Sequence, residues 1–178
     1  MRPTSPKISR RSSTRTDGVT VAAEQFKDAL REWASGVTIV TSRHGERVHG
    51  MTVSSFASVS LEPPLVLVCA DKDSNTHGVI AEGGVFAVHV LGRDQEALSN
   101  LFASKADEER RFDGLAWEVG ATGAPILVDA VAVLDCRVTS AHDAGDHVIY
   151  VGAVEQVQRR GGEPLLYHRG HYTGLAEG

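Results

Sequence analysis

Apolar positions recur at Phe26, Ala29, Leu30 and Trp33, the i, i+3, i+4, i+7 spacing of one helical face. The pattern predicts a helix that begins near Ala22 and stops at Gly36. The period then shortens. GVTIVTS (36–42) reads as a buried β-branched strand. RHGER (43–47) reads as a hairpin turn, and Val48 to Ser54 as the returning strand. SFASVSL continues extended until Pro63–Pro64. LVLVCA (65–70) is nearly continuous in apolar residues and predicts a strand buried on both faces. The polar turn DKDSNTHGVIAEGG leads into a short helix with Ser74 or Asn75 at its N-cap. VFAVHVL (85–91) is another strand. Asp94 is placed to cap a helix that carries Leu98, Leu101 and Phe102 on one side. ASKADEERRFDG is charged and expected to be exposed, and residues 114–125 to be loop. ILVDAVAVLDCRVTSAHDA contains a long strand. HVIYVGAVEQVQR (147–159) is its partner across the DAGD turn. PLLYHRGHY closes the fold. Trp33 and Trp117 are assigned to packing.

Many strands with a few short helices, and no regular βαβ alternation, predict a mainly β fold with peripheral helices, a compact barrel. The 178 residues suit one domain, taken as 21–178, with a core that needs neither disulfides nor metal. The net charge of −5 argues against nucleic acid as a partner. Five cations (Arg2, Lys7, Arg10, Arg11, Arg15) fall in residues 1–16, which hold no acid, so the body is more acidic than the total. Residues 1–20 are expected to be a disordered, basic, Ser/Arg-rich leader. They lack the apolar run of a secretory signal, and no apolar run elsewhere approaches a membrane span. Cys69 and Cys136 lie in strand-like runs without metal or redox spacing, which suggests free thiols and a cytoplasmic setting.

Several chemistries lack their motifs. There is no GxGxxG, no GxxxxGK[ST] and no GxSxG. His142 with His147, or His168 with His171, have no supporting cluster, so no metal site is expected. What remains is GMTVSSFASVSLEPPLVLV (50–68), with hydroxyls at Thr52, Ser54, Ser55, Ser58 and Ser60. On a strand, Thr52 and Ser54 would share one face and Val53 the other. Hydroxyls and backbone N–H groups on extended chain can hold a phosphate or a planar heterocycle, with LVLVCA as the wall beside them. Periodicity alone leaves open a half-exposed strand whose hydroxyls meet only water.

The order of GVTIVTS, HGMTVSSFASVSLEPPLVLVCADKDSNTH, FAVHVL, LSNLFAS, RF, the GDH at 145–147 and LLYHRGHY resembles the short-chain flavin reductase family, from about Phe26 to Tyr172. The resemblance implies a split β-barrel of the FMN-binding type. It implies an NAD(P)H:flavin oxidoreductase that uses FMN or FAD with NADH or NADPH, is commonly a homodimer, and supplies reduced flavin to a partner monooxygenase. Thr52, Val53, Ser54 and Ser55 match the segment lining the flavin ring and ribityl chain. Ala70, Asp71, Lys72, Ser74, Asn75 and Thr76 match the turn that receives the rest of the chain and the phosphate. Phe102, Ala103, Ser104 and Lys105 match the second phosphate-side loop, with Lys105 as the counter-charge. Asp146 and His147 match the motif near the nicotinamide, with His147 the catalytic candidate, and Tyr172 would cover the ring or serve as an aromatic plug. In such an enzyme the cofactor holds the hydride chemistry and the protein holds geometry. A tightly held flavin serving another acceptor, or a flavin-binding module without turnover, are the alternatives.

Overall fold

The computed structural model describes residues 21–106 and 108–176. The predicted leader therefore lies outside the described residues. In chain order the elements are α1 (Ala23–Arg31), β1 (Ser35–Gly36), β2 (Thr38–His44), β3 (Arg47–Val53), β4 (Phe56–Leu61), β5 (Pro64–Asp71), α2 (Asn75–Gly83), β6 (Val85–Val90), α3 (Glu96–Ala103) and a 3-10 turn (Glu108–Arg110). They continue as β7 (Trp117–Val119), β8 (Pro125–Leu127), β9 (Ala132–Ala144), β10 (His147–Arg159), β11 (Leu166–His168) and β12 (His171–Thr173).

Seven strands form one antiparallel sheet in the order β3-β2-β6-β9-β10-β5-β4. The chain runs from one edge of that sheet to the other through Ser54 and Ser55 alone. Laid flat, the two edges would stand about 29 Å apart, at ~4.8 Å per strand. The short connection reaches only about 10 Å. The sheet must therefore curl until β3 and β4 meet, and it does so without pairing them. That unpaired seam is where the hydroxyl-rich segment lies.

Two layers of side chains hold the curl. Val40, Val66, Val68, Phe86, Val88, Cys136 and Tyr150 fill the inside, with Ile80 of α2. Val37, Ile39, Leu91, Phe102, Leu127 and Leu165 form a second cluster. Alternation along β2 sends Val40 to the first and Ile39 to the second, which is why its central residues are buried on both faces. In β5 the expectation fails. Val66, Val68 and Ala70 point inward, while Leu65, Leu67 and Cys69 are only half-buried, because no second layer covers that stretch.

Four more expectations change. The apolar face of α1 turns outward: Phe26, Leu30 and Trp33 are exposed, Trp33 by 74%, and no residue of the helix is buried. Asp94 does not cap α3. The N-cap is Gln95, whose amide is engaged backwards, accepting from Gly92 N at 2.7 Å. The 114–125 segment contains β7, paired with β8 and fixed by Trp117 edge-on to Phe112. The charged stretch after α3 buries Arg111. Ser74 does cap α2, accepting from His77 N at 3.1 Å.

His89 shows how the layers are joined. It is fully buried, with Nδ1 3.1 Å from Ile39 O, and Leu127 N donates to Nε2 at 3.0 Å. One ring nitrogen must donate and the other accept, so the imidazole is neutral. Burial pushes its pKa down to about 4.

Candidate functional site

The seam places β3 beside α3, and a glycine sets their separation. A Cβ on Gly50 would stand 2.8 Å from Phe102 Cε1, so only glycine lets the helix come this close. Thr52 Oγ1 donates to Ser99 O at 2.6 Å and ties the same two elements. From the other side comes the β11–β12 hairpin, whose turn uses Arg169 at φ 50 and Gly170 at φ 84. Arg169 pairs with Glu32, whose carboxyl it holds below the usual range, and Arg169 N donates to Arg31 O at 3.1 Å. The Tyr172 hydroxyl meets Ser99 Oγ at 2.8 Å and Asn100 Oδ1 at 3.0 Å. Its ring packs edge-on to Tyr167, with centroids 5.3 Å apart.

Two grooves result. The first, of about 360 Å³, is lined by Val37, Thr52, Val53, Ser54, Ser99, Asn100, Ala103, Tyr167, Gly170 and Tyr172. The second, of about 260 Å³, shares Thr52 and Ala103 with it and continues past Met51, Phe102 and Lys105 to the first turn of α2. There it meets Asp71, Asp73, Ser74, Thr76, Glu108 and Arg111. Its polar groups are largely engaged. Asp71 Oδ1 accepts from Asp73 N at 2.9 Å, and Ser74 Oγ donates to Asp71 O at 2.7 Å. Thr76 Oγ1 lies 2.7 Å from His49 Nδ1. Burial and the nearby Arg111 lower the His49 pKa.

The grooves gather Thr52, Val53, Ser54, Asp71, Ser74, Thr76, Phe102, Ala103, Lys105 and Tyr172 from the expected set. The simple alternation of Thr52 and Ser54 against Val53 does not hold, because β3 ends at Val53 and Ser54 sits in a bend. Ser54 is exposed, and no protein group among the described residues takes its hydroxyl. The wall is also different from the one expected. LVLVCA lies beside β4 and β10, and α3 with the terminal hairpin walls the first groove.

Other expected residues lie outside the lining. Ala70 is fully buried in the inner core. Ser55 donates to Cys69 O at 3.1 Å across the β4–β5 start. Lys72 binds Gly145 O and Asp143, docking the β9–β10 turn. Asn75 donates to Glu108 at 2.6 Å. Ser104 accepts from Ala106 N at 3.2 Å through its hydroxyl. His147 stands opposite Asp71 in register, with Nδ1 2.7 Å from Asp146 Oδ1, and hydrogen bonding from His147 lowers the Asp146 pKa. Sequence reasoning passed over Ser99, Asn100, Tyr167, Met51 and Arg111. Ser99 and Asn100 lie inside LSNLFAS, and helical spacing from Ala103 reaches both.

The first groove brings Val37, Val53 and Ala103 together with Tyr167 and Tyr172, and the exposed Ser54 is part of its lining. The second groove sets Lys105 and Arg111 in one lining with Asp71, Asp73 and Glu108.

Known proteins are similar to this chain in sequence and in fold. The FMN reductase (NADH) SmoA of Agrobacterium fabrum is 44% identical over 150 residues, covering 84% of each chain. The reductase subunit HsaB of a flavin-dependent monooxygenase from Mycobacterium tuberculosis is 40% identical, covering 84% of this chain and 81% of its own. The solved structure of the NADH:FAD oxidoreductase SgcE6 of Streptomyces globisporus, in complex with NAD and FAD fragments, superimposes with a TM-score of 0.81. It is 36% identical and covers 87% of this chain and 93% of its own. The curled sheet with its unpaired seam is thus the split barrel expected from the motifs. With residues 30–176 matching the flavin reductase like domain along almost the whole described length, the chain belongs to that family.

Proposed function

We propose that the chain is an NAD(P)H-dependent flavin reductase whose flavin lies along the two joined grooves, the ring in the first and the chain toward Lys105 in the second. The observation that carries this is the seam itself. An unpaired sheet junction, a free hydroxyl at Ser54 and an apolar floor meet in one open groove. The relatives' activities and the absence of a Rossmann fingerprint agree with a nicotinamide that visits and leaves. When bound, flavin supplies the hydride-accepting chemistry. The chain's part is to orient and to exclude water. The Ser99 and Asn100 bonds hold the Tyr172 ring in place, and the Thr52–Ser99 bond fixes the groove floor against α3.

By analogy with the monooxygenase reductase subunit, the product is reduced flavin for a partner oxygenase. The exposed stripe of Phe26, Leu30 and Trp33 supports a homodimer, since an apolar face of this kind is usually covered. His147 reaches neither groove within one chain. A role for it beside the nicotinamide requires the second chain to bring it there.

The test is NADH oxidation by purified protein with FMN in excess. The rate is expected to rise with added flavin and to saturate. A protein that stays yellow and oxidises no nicotinamide would leave only flavin storage. Ser54→Ala is expected to weaken FMN binding by about 0.5–1.5 kcal/mol, one hydrogen bond's contribution. Titration of FMN fluorescence reads this, and an unchanged Kd would remove Ser54 from the site. No helix among the described residues is long and apolar enough to cross a membrane.

A further inference from the structure

The second groove is bounded by a segment with almost no apolar side chains: Ser104, Lys105, Ala106 and the 3-10 turn Glu108–Arg110. Hydrophobic burial gives such a segment little reason to keep its place. What crosses it is Arg111. This arginine is only 3% exposed, in a stretch whose composition reads as solvated surface. Its Nη1 donates to Gly50 O at 2.6 Å. Its Nη2 donates to Ser104 O and lies 3.5 Å from Glu108 Oε1. Gly50 belongs to β3, Ser104 closes α3 and Glu108 opens the 3-10 turn, so one planar fork ties three elements around the groove.

Stability alone is a weak reason for this arrangement. A buried guanidinium is expensive unless its donors are paired, and an apolar residue of similar volume often serves the fold as well. Here the Arg111 Nε–H has no partner among the described residues. The other buried side-chain atom left without one, His49 Nε2, lies in the same cluster, 3.7 Å from Glu108 Oε2. The gain is geometric. A rigid fork binding two carbonyls fixes their separation, which a flexible ammonium does not.

We propose that Arg111 is a positioning residue for ligand binding: it holds Ser104 and Glu108 against β3 so that Lys105 faces the anionic end of the flavin chain. This rests on the placement of flavin in the two grooves. The Arg111 fork is engaged with two carbonyls and a carboxylate, so the charge offered to the ligand is that of Lys105.

The test compares Kd for FMN with Kd for lumiflavin, which has the ring but neither chain nor phosphate. The proteins are wild type, Arg111→Met, Arg111→Lys, Lys105→Ala and the Met/Ala double variant. Wild type is expected to prefer FMN. If it binds both flavins alike, the placement of the chain in the second groove is wrong, and this inference goes with it. Given that preference, Arg111→Met is expected to weaken FMN binding about tenfold and lumiflavin binding by less than about twofold. Arg111→Lys should recover part of the loss, and Lys105→Ala should reproduce it. The double variant should be no weaker than either single one, since both act through the same contact. Equal losses for the two flavins, or losses that multiply in the double variant, overturn the role of Arg111 while leaving the flavin site standing. Should Arg111→Met fail to fold, Arg111→Lys carries the same comparison, with a chain-selective loss of about threefold as the expected result.

Discussion

Between pH 6.5 and about 4 the protein is expected to lose about 3 kcal/mol of unfolding free energy through His89 alone. Native His89 has a pKa near 4, because its ring is fully buried and already bonded on both nitrogens. In the unfolded chain it titrates near 6.5, the ordinary value. Above pH 6.5 both states are neutral at this ring, and its contribution is complete. As pH falls through the window only the unfolded state gains the proton, and stability drops by ~1.4 kcal/mol per pH unit. Below the native pKa both states are protonated and the loss levels off. Protonation in the native state would make Nε2 a donor facing the Leu127 N–H, so the β6–β8 contact is expected to open there. Urea unfolding at half-unit pH steps reads the slope. His89→Gln, which cannot titrate, should have a flatter curve from pH 6.5 to 5, above the range of most carboxylates. Parallel curves for the two proteins would assign the acid sensitivity elsewhere.

His89 also marks the boundary of what the sequence discloses. VFAVHVL is legible as a strand because Val85, Phe86, Ala87 and Val88 are apolar whichever face they take. That His89 is a buried latch is not legible, since its partners are a carbonyl 50 residues earlier and an amide 38 residues later. The same distinction separates the correct readings from the failed ones. The β9–β10 hairpin and the Ser74 cap depend on neighbours in sequence and were found. The assignment of Trp33 to packing fails because the 3.6-residue period reports an apolar stripe, and cannot say whether this chain or another covers it. Arg111 was missed because its carbonyl partners leave no mark in composition. In the site, the motifs supplied β3 and the loop after α3, the local pieces. The wall formed by Ser99, Asn100 and Tyr167 follows only once the sheet has curled and the terminal hairpin has docked.

Phe86→Ala is expected to cost about 3–5 kcal/mol, the most of any single change considered. The ring is fully buried in the inner layer and reaches across β9, where its own register partner is Cys136, to β10. It occupies space that Gly152 leaves open: a Cβ there would stand 2.5 Å from Phe86 Cζ and 3.0 Å from Cys136 Cβ. Gly152→Ala should therefore overpack the same spot, at about 1–3 kcal/mol. The two changes are opposite in volume, so the double variant Phe86→Ala with Gly152→Ala should be more stable than the sum of the singles by about 1 kcal/mol or more. Equilibrium unfolding with unchanged m-values checks this; strict additivity would mean that the ring and the glycine do not share a cavity. The folded fraction of each variant should keep most of its FMN affinity, because α3 and the second cluster supply much of the groove walls, while Met51 and Val53 are the lining residues that pack against the inner cluster. A loss of affinity matching the loss of stability would show instead that the seam opens when the inner layer is emptied. In that case the curl of the sheet, and not only the residues at its junction, shapes the site.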